Sequence, residues 1–120
     1  MNVSSLINQK LNFFKNPHYL EIGVRNGETF FSIKCRKKFG VDPNYYFSKR
    51  FLLKSLLRHD NWGYKMFRQT SDSFFEHDAP YIYKSKKIDV VFIDGMHTYT
   101  QSLKDAKNSL RFLNDNGVII

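Results

Sequence analysis

The 120-residue chain is long enough to bury a core and short enough to form one domain. Hydrophobic residues make up 42% of it and aromatics 17%, which excludes a disordered chain. The formal charge of +8 would suit an anionic partner, yet the basic residues fall between the apolar runs and match no nucleic-acid motif, so charge alone names none.

In chain order, Ser4 or Ser5 can cap a helix running to about Lys15, with Leu6, Ile7, Leu11 and Phe14 near one face and Pro17 beyond it. Tyr19 to Ile22 reads as a short buried strand that meets Gly23 and Gly27. A helix is predicted over Glu28 to Lys38 and a second strand over Phe39 to Val41, closed by Asp42, Pro43 and Asn44. Lys49 to Arg58 suits a helix, and Tyr64 to Phe67 a third strand. After a turn at Thr70 to Ser73 comes an aromatic, poorly periodic stretch through Tyr83.

Ile88 to Ile93 (IDVVFI) is β-branched and nearly continuous, as a central parallel strand buried on both faces requires. Thr98 to about Leu113 reads as a helix whose stripe of Tyr99, Leu103, Ala106, Leu110 and Leu113 is expected to face the core. Gln101, Lys104, Lys107 and Asn108 would then face solvent. Gly117 to Ile120 begins a further strand. Strands alternating with helices predict an α/β, Rossmann-like open and mostly parallel sheet with flanking helices. One domain over residues 1–120 is expected, with an N-terminal helix in 1–17 and the core in 18–120.

In open α/β sheets ligands sit outside the carboxyl ends of the strands, and here those ends carry acids or glycines four times in succession. The first is Glu21-Ile22-Gly23-Val24-Arg25-Asn26-Gly27, an ExGxxxG turn that allows close backbone approach to a ligand. It departs from the dinucleotide fingerprint, because Glu21 stands where the first glycine would be and Asn26 where the third would be. A carboxylate there disfavours a pyrophosphate and suits a ligand with an amine, a carboxylate and a ribose. Asp42, after the second strand, can accept both hydroxyls of a ribose diol, although Asp42-Pro43-Asn44 would form a turn in either case. The third strand leads to Ser71 and Asp72, the fourth to Asp94-Gly95-Met96-His97.

Taken in order, YLEIGVRNGETF, GVDPN, QTSDSFF and IDVVFIDGMHTYTQSLKDAKNSLRFLNDNGVII resemble the class I S-adenosylmethionine (SAM) dependent methyltransferases, especially a branch marked by DGxHxY. The resemblance covers about Tyr19 to Ile120. It implies that the Gly23 to Gly27 turn holds the methionyl part of SAM with Glu21 near its amino end, and that Asp42 binds the ribose. Ser71 and Asp72 would border the adenine, and Asp94 would lie near the sulfonium and the acceptor. In related catechol-type enzymes the acid at Asp94's place ligates a divalent metal, and the residue three positions on can be the base. Here that residue is His97, which could instead ligate a metal, cap the following helix or orient Asp94.

The family's sheet normally continues past the fifth strand, so a chain ending at GVII reads as truncated. An uncovered sheet edge invites association, and a homo-oligomer through that edge is one expectation. A fragment of a longer enzyme and a degenerate relative are the others. The expected activity is O-methylation of a small molecule or sugar. A non-catalytic module that binds SAM or S-adenosylhomocysteine is the alternative, and a nucleotide- or nucleic-acid-binding domain a further one, though nucleic acid is not expected as a partner.

Cys35 is the sole cysteine, so no intrachain disulfide or CxxC site can form, which fits a reducing compartment. No basic-then-apolar leader begins the chain and no apolar run reaches bilayer length, so a cytoplasmic location without membrane attachment is expected. Cys35 as a nucleophile lacks a visible base, and Trp62 with Tyr64 reads as packing in preference to base stacking.

Overall fold

The computed structural model describes residues 2–95 and 98–120. Five parallel strands form one sheet: β1 (His18–Ile22), β2 (Lys37–Val41), β3 (Lys65–Phe67), β4 (Ile88–Ile93) and β5 (Leu113–Ile119). Their order is β3-β2-β1-β4-β5, the open Rossmann-like arrangement expected, with β1 at the centre paired to β2 and β4. The chain turns back between β1 and β4, and that reversal opens a crevice at their carboxyl ends.

Each face of the sheet has its own core. Leu20, Ile22, Val41 and Val91 point to one side, where Phe74, Phe75, Ala79 and Tyr83 cover them. Tyr19 and Val90 point to the other, under Ile7, Leu11, Phe30 and Phe31 from α1 (Val3–Leu11) and α2 (Glu28–Ser32). Phe51 and Leu52 of α3 (Lys49–Ser55) pack at the rim of this second core. Among the described residues no helix is long and apolar enough to cross a membrane.

Several elements differ from the sequence reading. Asn2, not Ser4 or Ser5, caps α1 by accepting from the Ser5 amide at 2.8 Å, while Ser4 Oγ pairs with Ser32 Oγ at 2.7 Å. Helix α2 stops at Ser32, six residues early, because Lys38 belongs to β2 and its ammonium reaches back to the carbonyls of Phe30 and Ile33 at 3.0 and 2.9 Å. Those carbonyls at the end of α2 therefore have partners without a further helical turn.

The aromatic stretch after Thr70 is helical throughout: α4 (Ser71–Ser73), a π-helical turn (Phe74–Asp78) and α5 (Ala79–Ile82). The π turn breaks the usual helical period and lets Phe74 and Phe75, adjacent in sequence, both be buried.

The largest correction concerns α6 (Tyr99–Leu110). Of its predicted apolar stripe, Tyr99, Leu103 and Leu110 face outward, 82%, 42% and 61% exposed, while Leu113 belongs to β5 and packs against the core. Asp105 and Ser109 are the residues the helix buries, and Gln101 lies one turn before them on the same side. The segment is helical as expected, with its polar side turned inward.

Candidate functional site

The turn after β1 is shaped by two left-handed glycines, Gly23 and Gly27, both at φ +87°. Gly23 donates to the Val41 carbonyl at 2.8 Å, and the Asp94 amide donates to the Ile22 carbonyl at 2.7 Å. These bonds continue the sheet pairing and draw the ends of β1, β2 and β4 together. A Cβ on Gly23 would overlap the Asp94 carbonyl and Gly95 Cα, so only glycine fits where the two loops touch. Behind the turn, Gly27 leaves room for Phe31 and Phe47, whose rings would stand 2.9 Å from a Cβ there.

Arg25, between the glycines, is also left-handed, at φ 58°. Its amide donates to Asp42 Oδ2 at 2.7 Å, and its guanidinium reaches the Asp94 carbonyl at 3.2 Å and carboxylate at 3.8 Å. One residue thereby ties the first loop to the ends of both neighbouring strands. The other Asp42 oxygen accepts from the Asn44 amide at 2.7 Å, which fixes the carboxylate's direction.

Beyond these loops lies a cavity of about 420 Å³, of the size that small ligands occupy. Ile22, Gly23, Val41 and Asp42 line one side of it. Ser71, Asp72, Gln101 and Asp105 line the other. That second wall is a hydrogen-bonded cluster in which Asp105 Oδ1 accepts from Ser71 Oγ at 2.6 Å and from Gln101 Nε2 at 2.9 Å. Burial pushes the Asp105 carboxyl up, while those two donors oppose the shift. Asp72, nearer the surface, is held below its ordinary value, chiefly by the Lys104 ammonium 2.9 Å away and also by Gln101.

Gly23, Asp42, Ser71 and Asp72 thus meet round one cavity, as their strand-end positions imply. Glu21 and Gly27 do not line it. Glu21 is buried under the turn, where its carboxyl accepts from the Tyr19 hydroxyl at 2.6 Å. Asp94 stands half-exposed in its ion pair with Arg25, and its neighbour Gly95 lines the cavity. His97 lies outside the described residues. Arg25, Gln101 and Asp105 were missed by sequence reasoning. An arginine set between two acids in space leaves no local trace, and the four-residue spacing of Gln101, Asp105 and Ser109 reads equally as a solvent-facing stripe. Among the described residues no group of three or more His, Cys, Asp or Glu stands close enough to hold a metal ion.

Burial lifts the Glu21 carboxyl from 4.5 to about 8, with the Tyr19 hydroxyl opposing and Asp94 adding to the rise. The folded protein then keeps a proton on Glu21 that the unfolded chain releases near 4.5. Stability from this group is full below that value and declines as pH rises to about 8. Glu21→Gln, neutral at every pH, should flatten the loss between pH 5 and pH 8. Each unit is worth about 1.4 kcal/mol, so urea midpoints at the two pH values resolve it. An unchanged slope would show that Glu21 is ionised in the fold.

A family model described as a methyltransferase domain matches residues 20–120. A comparison with curated proteins finds no match. The matched span runs from β1 through β5 and contains every residue that lines the cavity. The chain belongs to the methyltransferase domain family.

Proposed function

We propose that the protein is a SAM-dependent methyltransferase that acts on an oxygen of a small molecule or sugar. The observation that supports this most is the convergence of the Gly23 turn, the Asp42 carboxylate and the Ser71-Asp72 corner on one cavity at the carboxyl ends of the strands.

The donor set fits the cofactor. Each Asp42 oxygen accepts one backbone N–H and keeps a lone pair for a ribose hydroxyl. Ile22 and Val41 present apolar surface to a flat ring, and Asp72 offers an acceptor at its edge. Arg25 lines the same cavity and suits the cofactor's carboxylate. When bound, SAM supplies a methyl group activated by its sulfonium.

The chain's own contribution is to bind, orient and exclude water, which is where most of the rate gain in such a transfer arises. The carboxylates of Asp42, Asp72 and Asp94 favour a cationic ligand at this end of a protein whose net charge is positive. His97 is assigned as the base that takes the proton from the acceptor hydroxyl, and Asp94 as the residue that holds the acceptor.

The test is S-adenosylhomocysteine binding by Asp42→Asn and Asp42→Ala. Losing charge-assisted hydrogen bonds should weaken binding roughly 10- to 100-fold, more in the alanine variant. Unchanged affinity in both would remove Asp42 from the ribose. Label from methyl-labelled SAM should appear on oxygen across a panel of hydroxylated acceptors and sugars, and label found only on nitrogen would overturn the oxygen assignment.

A further inference from the structure

The two ends of the sheet carry clefts of different charge. Asp42, Asp72, Asp94 and Asp105 gather at the carboxyl ends of the strands, around the cavity described above. The opposite end holds a second cleft, of about 840 Å³, where the chain enters β1, β2 and β4. Lys34, Arg36, Lys37 and Lys86 line it, with His18 at its wall, and no carboxylate does.

The concavity is built by the fold. Gly63 closes the turn before β3 onto the Arg36 carbonyl, which a Cβ would approach to 2.8 Å. Lys86 is anchored by donating to the Asn16 carbonyl at 2.8 Å, a contact spanning 70 residues of sequence. The nearest acid, Asp89, is buried and already accepts from the His18 amide and from Asn114, at 2.8 and 2.6 Å. Among the described residues none of the four cations is in a salt bridge. The local field is positive: after burial, Lys86 and Lys37 are what lower the His18 pKa, against Asp89. Two separate stretches of sequence, residues 34–37 and Lys86, thus bring cations without acidic partners to one depression, which a merely solvated basic face does not require.

We propose that this cleft binds phosphate groups of a multiply charged anionic ligand. A strand of five residues, roughly 17 Å, separates it from the methyl-donor cavity. Its ligand is therefore held apart from the donor cavity, and an acceptor engaging both must be long or surface-bound. The proposal does not rest on methyl transfer and can fail without it.

Calorimetric titration of the full chain with inorganic tripolyphosphate at about 20 mM salt tests it, with a repeat at about 300 mM, where screening is far stronger. Binding should be lost at the higher salt. It should fall tenfold or more in the triple variant Lys34→Ala/Lys37→Ala/Lys86→Ala, and stay within about twofold in Lys49→Ala/Arg50→Ala/Lys54→Ala, which removes the same charge from α3. Lys34→Ala/Lys37→Ala, which keeps the Lys86 anchor, should show an intermediate loss if the triple variant fails to fold. Competition by a single-stranded RNA of about 16 nucleotides, by phosphatidylglycerol vesicles, or by neither identifies the source as nucleic acid, lipid surface or a small phosphorylated molecule. No tripolyphosphate binding at low salt, or an equal loss in the α3 variant, overturns the proposal.

Discussion

Gly23→Ala should unfold a large part of the population or shift the melt by tens of degrees. A methyl group at this position meets backbone: the Asp94 carbonyl and Gly95 Cα, neither of which can swing aside. The left-handed φ of +87° adds about 1 kcal/mol for any residue with a Cβ. Relief would require parting β1 from β4 at their carboxyl ends, where Asp94 donates to Ile22 and the central pairing of the sheet begins. A loss of about 4 kcal/mol or more is a large share of the stability of a domain this size. Gly95→Ala is the matched control. A Cβ there stands 3.3 Å from a side-chain methyl of Ile22, which can yield, so its cost should stay near 1 kcal/mol. Thermal melts of the pair check the claim. Equal, small losses in both would mean that the two loops can separate freely.

Lys38→Met should cost about 3 kcal/mol even though it nearly preserves side-chain volume. Lys38 is fully buried, and its three donors meet three acceptors: the carbonyls of Phe30 and Ile33, and Asn61 Oδ1. Asn61 in turn donates to the carbonyls of Phe31 and Ser55 at 3.1 and 2.8 Å, so one network joins the ends of α2 and α3. Methionine would strip Asn61 Oδ1 of its donor and leave the Phe30 and Ile33 carbonyls only their backbone donors, the Ile33 and Cys35 amides at 3.4 and 3.0 Å. Burial lowers the Lys38 pKa from 10.5 to about 8, with Asp60 opposing. Between those values the unfolded chain holds a proton that the fold has released, so stability from this group rises with pH across that window. The methionine variant should lose that rise as well as the midpoint. A urea midpoint that does not move would show that water reaches the carbonyls.

The same lysine explains why part of the fold was hidden in the sequence. Phe30, Phe31, Ile33 and Cys35 continue an apolar pattern through the end of α2, and nothing local marks where the helix gives way to β2. The terminating contact comes from a residue in the next strand. Strands β1 and β4 were legible because YLEI and IDVVFI are short, β-branched or aromatic runs with no competing helical period, whereas β5 starts at Leu113, before the expected Gly117. Helix α6 was legible in extent but not in orientation. It holds two leucines and two buried polar residues, so apolar content alone does not orient it, and only the tertiary contact of Asp105 with Ser71 shows which side turns inward.

At the site, Gly23, Asp42, Ser71 and Asp72 come together at one cavity because parallel topology puts all strand ends on one edge, while Gly27 stands behind the turn. Glu21 does not join them, since residue alternation along β1 aims it beneath the turn beside Tyr19 and away from the cavity. Arg25 depends on loop geometry alone. Its left-handed backbone and its bonds to both Asp42 and Asp94 exist only when three strand ends have already met.

We assign SAM to the cavity at the carboxyl ends of β1, β2 and β4. Calorimetric titration of the unaltered chain with S-adenosylhomocysteine, with NADH as the control ligand, tests this assignment most directly. Binding of S-adenosylhomocysteine in the micromolar range, or about 8 kcal/mol, with none for NADH is the expected result. A cooperatively melting sample that binds neither ligand, or that prefers NADH, would contradict it.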